Sequence, residues 1–182
     1  GEELEAATAA YHRENSRMES LRNITERYDG YGNSIKRVME QKDNTPGIIG
    51  VVADIIKVDK EYETAIETAL GGKIQNVVTD DEATAKKLIA FLKEQKLGRA
   101  TFLPLTAMNE KEWKPGDVLT EKGVVGLASK LVKADSAYEG MINHLLGKTI
   151  VLENIDDAIA LQKRHGYEYH VYQKKKHQYQ NV

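Results

Sequence analysis

The chain has no cysteine, only three prolines in 182 residues, a single tryptophan and two phenylalanines. Without cysteine there is neither a disulfide framework nor a thiolate metal site, which agrees with a reducing compartment. No apolar run approaches the roughly 18 residues of a membrane span, and no signal peptide opens the chain. A cytoplasmic protein with no membrane partner is therefore expected. Strong charge of one sign is also missing. The net charge is −2, so any surface for nucleic acid must be a local patch. What is present is a 41% hydrophobic fraction, enough for a core, and 30% charged residues, 15 of the 54 falling in the first 42 positions. The sequence starts at Gly1 inside a polar helical pattern and reads as a piece of a larger protein.

The usual signatures of catalysis are scarce. The strings ALGGKIQ and LLGKTIV follow helical patterns instead of preceding one, so neither is a phosphate-cradling loop. Histidines 12, 144, 165, 170 and 177 show no metal-ligand spacing. Asp59 and Asp135 each follow a strand-like run and open a helical one, so they read as helix caps. In a small doubly wound enzyme they would instead sit at strand ends, and that alternative is kept. The pairs Asp80-Asp81 and Asp156-Asp157 likewise fall at helix starts, where the macrodipole favours negative charge.

Residues 1–42 place Leu21, Ile24, Tyr28, Tyr31, Ile35 and Val38 at alternating spacings of three and four. That is a heptad seam. Leu4, Tyr11 and Met18 form a second stripe seven apart, so a stutter or a helix break is expected between the two. An amphipathic helix packed on its own domain and a coiled coil both fit. The narrow stripe, and a length of about 60 Å for a continuous helix, favour the coiled coil.

From Gly47 the chain repeats itself. At a constant offset of 76, residues 47–81 and 123–157 agree at twelve of 35 positions. Among these are Gly47/Gly123, Tyr62/Tyr138, Ile66/Ile142, Leu70/Leu146 and Gly71/Gly147, followed by Ile74/Ile150, Asp80/Asp156 and Asp81/Asp157. Each copy reads strand, helix, strand, helix, strand. In the first these are 47–58, a helix at 60–70 stopped by Gly71, a strand at 74–79, a helix capped by Asp80-Asp81, and a strand at 99–105. The second gives helix 136–146, strand 149–153, helix 156–165 and strand 167–173. The organisation expected is an arm at 1–42, a first subdomain at 43–105, a polar linker at 106–122 anchored by Trp113, a second subdomain at 123–173 and a basic tail at 174–182. The fold class is α+β, mixed α/β, built as two duplicated subdomains. Lys174, Lys175 and Lys176, interleaved with tyrosines, read either as a DNA-binding patch or as a solvated tail.

The passages 47–105 and 124–161, and above all the strings ALGGKIQNVV and GRATFLPL, resemble the hinge domain of bacterial structural maintenance of chromosomes (SMC) proteins. The resemblance implies a non-enzymatic module whose two pseudo-symmetric subdomains form a half-ring. Two half-rings would meet as a homodimer, joining coiled-coil arms in chromosome condensation and segregation. An antiparallel partner helix, not contained in this chain, would pair with residues 1–42. It also implies weak, salt-dependent DNA binding, for which Lys174, Lys175 and Lys176 are the candidates. ATP and Mg2+ would belong only to the head of the parent protein, leaving no cofactor here. The paired Gly71 and Gly72, with Lys73, Ile74, Gln75 and Asn76, correspond to the family's dimer contact, and Gly147 is their second-copy counterpart. The expected mechanism is an unpaired sheet edge at 74–79 that glycines leave open to a second backbone. The sequence departs from the family after residue 173, where a glycine-rich run and a returning helix would follow and KKKHQYQNV stands instead. A coiled-coil adaptor that does not self-associate is the remaining alternative.

Overall fold

A computed structural model of the chain describes residues 1–28 and 30–174, with the side chains of 17 and 20–27 left aside. Helix α1 (Glu2–Arg27) extends about 39 Å at 1.5 Å per residue and exposes Leu4, Tyr11 and Met18 along one side. A turn around Gly30 and Gly32 separates it from α2 (Asn33–Glu40). The heptad pattern is thus split between two helices. Its later members, Tyr28, Ile35 and Val38, are buried in a core with Met39, Ile48, Val51, Val77, Leu88 and Leu92. The expected seam past residue 27 is therefore core packing, which corrects the arm boundary at 42. Leu21 and Ile24 lie outside the described side chains.

The remainder contains two three-stranded sheets of the same plan. In the first, β1 (Ile48–Val51) runs antiparallel to β3 (Val77–Thr79), and β3 runs parallel to β4 (Phe102–Pro104). In the second, β5 (Val124–Leu127) runs antiparallel to β7 (Thr149–Leu152), which is parallel to β8 (His170–Gln173). Both antiparallel pairs shift register at the same place, between Ile48 and Gly50 and between Val124 and Gly126. The long β-branched run at 47–58 is not one strand. It breaks into β1, a helical turn α3 (Val52–Ile55) and the two-residue β2 (Lys57–Val58).

That short β2 pairs antiparallel with β6 (Val132–Lys133), and Lys57 faces Lys133, its own equivalent at an offset of 76. A local twofold axis between the repeats therefore passes through this ribbon. On one side of it α4 (Glu63–Leu70) and α6 (Glu139–Leu146) share a core. Ile66 and Leu70 come from one, and Met141, Ile142, Leu145 and Leu146 from the other. Shared apolar burial, at about 25 cal/mol per Å², is the main force joining the repeats. Helices α5 (Glu82–Glu94) and α7 (Ile155–Arg164) close the outer face of each sheet, α5 through Leu88 and Leu92, α7 through Ala158 and Leu161.

The constant offset of 76 does not survive into the second half of each repeat. Gly50 pairs with Val78 and Gly126 with Val151, so the central strands correspond at an offset of 73. Three extra residues stand between α4 and β3. The helix caps follow the new register, since Asp81 accepts from the Thr84 N–H and Asn154 from the Asp157 N–H. Asn154, and not the Asp156-Asp157 pair, is therefore the second cap. The sequence identities at Ile74/Ile150, Asp80/Asp156 and Asp81/Asp157 are out of structural register. Gly47/Gly123 remains in register and has a packing reason. A Cβ at Gly47 would lie 2.4 Å from the Asp80 carboxylate, and one at Gly123 2.4 Å from that of Asp157.

Candidate functional site

The three extra residues fall within Gly71–Asn76. Gly71 ends α4 with φ +55, a value that favours glycine, and its N–H donates to the Glu67 carbonyl. Residues Gly71–Gln75 then form a 3-10 turn, not a strand. The segment is tied down where the Asn76 N–H donates to the Lys73 carbonyl at 3.0 Å and the Val52 N–H to the Asn76 carbonyl at 3.0 Å. Strand β3 begins only at Val77 and lies at the centre of its sheet between β1 and β4. The expected edge strand at 74–79 is thus overturned, because those residues precede a central strand. What the chain presents at this point is the exposed turn itself.

Gly71, Gly72 and Lys73 are exposed, and Ile74, Gln75 and Asn76 are half-buried. Beside the turn is a cleft of about 270 Å³, floored by Val52, Ile56, Ile66, Leu70 and Ile74. A Cβ at Gly72 would meet nothing within 4 Å, and its φ is not positive. Among the described residues no conformational or packing demand requires glycine there. Gly147 differs, since a Cβ there would come within 2.6 Å of the Asn143 carbonyl oxygen. The second-repeat glycine is thus required by its own helix end.

The basic tail enters this geometry only at its first residue. The Lys174 N–H donates to the Leu152 carbonyl at 2.7 Å, continuing the β8 ladder. Its ammonium lies 3.7 Å from both Glu61 and Glu153, and 5.8 Å from the centre of the Tyr62 ring. Lys174 therefore spans the two repeats. Lys175 and Lys176 lie outside the described residues. The acidic surroundings act on Tyr62 as well, whose phenol is raised above its usual pKa by a hydrogen bond with Glu61, then by burial and by Asp59 and Glu153.

The carboxylates considered for chemistry have structural partners. Asp59 makes no side-chain cap, contrary to expectation. It accepts from Lys133 at 3.0 Å across the two-residue ribbon, while Asp135 caps by accepting from the Ala137 N–H. Such exposed pairs contribute roughly 0–1 kcal/mol. Asp80 accepts from the Thr84 hydroxyl at 2.8 Å. The Asp81 carboxyl is held below its usual pKa, first by the Thr84 N–H.

Sequence reasoning read the linker as polar and anchored by Trp113, and missed how closely it is bound. Trp113 packs 5.0 Å from the Tyr169 ring. The Asn143 side-chain amide donates to the Glu110 carbonyl at 3.0 Å, and the Glu110 carboxylate meets His144. Glu121 contacts His165 at 3.0 Å and Arg164 at 3.5 Å, and the His165 hydrogen bond leads in lowering its pKa. At Gly140 a Cβ would sit 2.0 Å from the Met108 carbonyl oxygen, so the linker crosses directly over α6. No spacing rule signals that glycine. Only its departure from Thr64, the equivalent residue in the first repeat, points to it.

Among the described residues no group of three or more side chains could hold a metal, and no helix is long and apolar enough to cross a membrane.

Residues 45–162 match the family model described as the SMC proteins flexible hinge domain. The chain is 38% identical over 159 residues to the chromosome partition protein Smc of Bacillus subtilis, covering 86% of this chain and 13% of that protein. Against the Smc of Halothermothrix orenii the identity is 38% over 151 residues, 82% of this chain and 13% of the relative. This chain thus spans a small part of the relatives it matches. Among solved structures it is similar to an asymmetric dimer of the Geobacillus stearothermophilus SMC hinge domain, with TM-score 0.77 and 36% identity, over 94% of this chain and 71% of that one. The Pyrococcus furiosus SMC hinge domain follows the same fold, with TM-score 0.65 and 31% identity, over 87% and 81% of the two chains.

Proposed function

The chain belongs to the flexible hinge domain family of SMC proteins, and on that premise we propose that it joins two copies of its parent protein by dimerising. The role is mechanical. ATP and Mg2+ chemistry is assigned to head domains elsewhere in the parent, which acts on the chromosome in the cytoplasm, and an antiparallel partner helix covers the exposed stripe Leu4, Tyr11 and Met18 of α1. The contact runs through Gly71, Gly72, Lys73, Ile74, Gln75 and Asn76, with Gly147 on the second repeat.

The observation that supports this reading most is Gly72. It is exposed, a Cβ on it would meet nothing, and it lies in the turn that the second repeat lacks. A glycine that its own chain does not need is explained by another backbone coming close. The dimeric hinge of Geobacillus stearothermophilus supports the same reading.

The test is a sedimentation dilution series with Gly72→Leu. The parent chain is expected to dimerise and the variant to remain monomeric with an unchanged melting temperature. A variant that dimerises as tightly as the parent sinks the proposal. Weak, salt-dependent DNA binding through Lys174, Lys175 and Lys176 completes the reading. Exchanging all three for Glu lowers DNA affinity at low salt, and equal affinity would remove the tail from the site.

A further inference from the structure

We propose that the open cleft at the C-terminal end of α5 docks an extended acidic peptide segment of a partner protein. The segment inserts an aromatic side chain between Ile89, Leu92 and Ala100 and sets its carboxylates against Lys93, Lys96 and Arg99. None of residues 71–76 lines this cleft, and its occupation does not require dimerisation.

The cleft arises from a difference between the repeats. With the outer helices aligned on their caps, Asp81 and Asn154, Leu92 corresponds to His165. With the sheets aligned on their ladders, Phe102 corresponds to Val171, and so Ala100 to Tyr169. In the second repeat this position is filled. The Tyr169 ring lies 5.2 Å from that of His165 and 5.0 Å from that of Trp113, which the linker delivers. The same linker sets the Glu121 carboxylate 3.0 Å from His165 and 3.5 Å from Arg164. An aromatic anchor and a carboxylate on one strap thus close the end of α7. In the first repeat a leucine and an alanine replace the two inner rings, and a cleft of about 560 Å³ stays open. Helix α2 borders it, with the Ser34 hydroxyl donating to the Arg99 carbonyl at 2.7 Å.

The floor of the cleft is apolar and its rim cationic. Leu92 is buried, Ala100 is half-buried, and Ile89 is 52% exposed, an aliphatic side chain left in water. Lys93, Lys96 and Arg99 are exposed, and their charged groups have no hydrogen-bond or ion-pair partner among the described residues. No carboxylate lines the cleft among those residues. Three like charges around one opening raise the local potential for an anion, although the chain as a whole carries a net charge of −2.

This combination selects the class of partner. A small inorganic anion would engage the rim and leave Ile89 and Leu92 uncovered. A single-stranded nucleic acid would also engage the rim, but the described lining offers no aromatic face on which a base could stack. An acidic peptide satisfies both parts. Its carboxylates pair with the two lysines and with the arginine, whose planar guanidinium suits a two-pronged contact. Its aromatic residue supplies the buried anchor on which a small interface depends. The volume falls in the range of about 300–1,000 Å³ typical of ligand clefts. Trp113 and Glu121 show the same pairing of chemistry at the equivalent place in this chain.

The probe is a fluorescein-labelled peptide, Glu-Glu-Gly-Trp-Gly-Glu-Glu, followed by anisotropy against the whole chain. Saturable binding is expected, and the apolar anchor should preserve it at about 0.15 M salt. Ala100→Tyr restores the ring found at Tyr169 and fills the cleft with its charges intact. Ile89→Glu removes part of the floor at an exposed helix position that tolerates a polar residue. The pair Lys93→Glu and Arg99→Glu reverses the rim. Each is expected to weaken binding about tenfold or more, as is exchanging the peptide's tryptophan for alanine. A parent chain that shows no saturable binding at millimolar concentration overturns the proposal. So does a Kd within about twofold of the parent for Ile89→Glu, or for a folded Ala100→Tyr. Equal binding of the peptide without tryptophan would reduce the site to charge alone and overturns it too. Self-association and affinity for a single-stranded thymidine oligonucleotide are expected to be unchanged by Ala100→Tyr and Ile89→Glu. Loss of the first would assign the cleft to a contact between copies, and loss of the second to nucleic acid; either result overturns the proposal.

Discussion

In register, the first repeat places six residues, 71–76, between its inner helix and Val77 of its central strand, where the second has three, 147–149, before the equivalent Ile150. Around that difference the sheets keep one strand order, one bulge position and one cap geometry. What matches is what a repeat needs to fold: a buried central strand, an inner helix feeding the shared core, an outer helix over the other face. What does not match is exposed. The first repeat carries an open glycine turn, which the second lacks. The second is also covered by the linker, through Gly140, Trp113 and Glu121, whereas the first is covered by α2.

Exchanging residues between equivalent positions sharpens this contrast. The largest effect is expected at Gly140→Thr, which places the residue found at Thr64 into the second repeat. Its Cβ collides with the Met108 backbone, and overpacking against main chain should cost about 3 kcal/mol in denaturant unfolding. The reverse exchange, Thr64→Gly, should cost about 1 kcal/mol or less, a helix-propensity loss only. Similar costs at both sites would mean that the linker does not rest on α6.

Next come the glycines beneath the carboxylates. Gly123→Ala should cost about 2 kcal/mol and Gly47→Ala about 1 kcal/mol, because Gly123 adds a φ of +82 to the same crowding. Equal losses would show that the two repeats hold their outer helices identically. The smallest effect tests the shifted register. Asn154→Ala should lose about 1 kcal/mol as a cap, while Asp156→Ala stays within about 0.5 kcal/mol. The caps also differ in titration. Asp81 has a lowered folded pKa, so its contribution is present above the unfolded value and lost as pH falls through the folded one. Asp81→Asn should flatten that acid loss of stability, and Asn154 contributes none of it.

The inner helices were legible in the sequence because Tyr62, Ile66 and Leu70, like Tyr138, Ile142 and Leu146, fall at helical spacing before a glycine. The family was legible from the same stretches. The site was harder to read. A constant-offset alignment cannot register three extra residues when Ile74, Asp80 and Asp81 find chance identities beyond them. Helix caps are interchangeable between Asp and Asn, so Asp81 and Asn154 match in geometry without matching in letter. The heptad misled for a related reason, since Tyr28, Ile35 and Val38 have the spacing of a coiled-coil seam and also that of a helix face buried on a sheet. Gly71 and Gly72 stand out in the sequence as a pair, but a 3-10 turn leaves no periodicity by which to separate it from a strand.

The ribbon in which Lys57 faces Lys133 has one more consequence. An axis running between equivalent residues is what two separate single-repeat chains would generate on meeting. Here both partners are on one polypeptide, and residues 106–122 turn an encounter between molecules into one at an effective concentration on the order of millimolar. The pairing is therefore secured by covalent tethering, independently of how scarce the protein is in its surroundings.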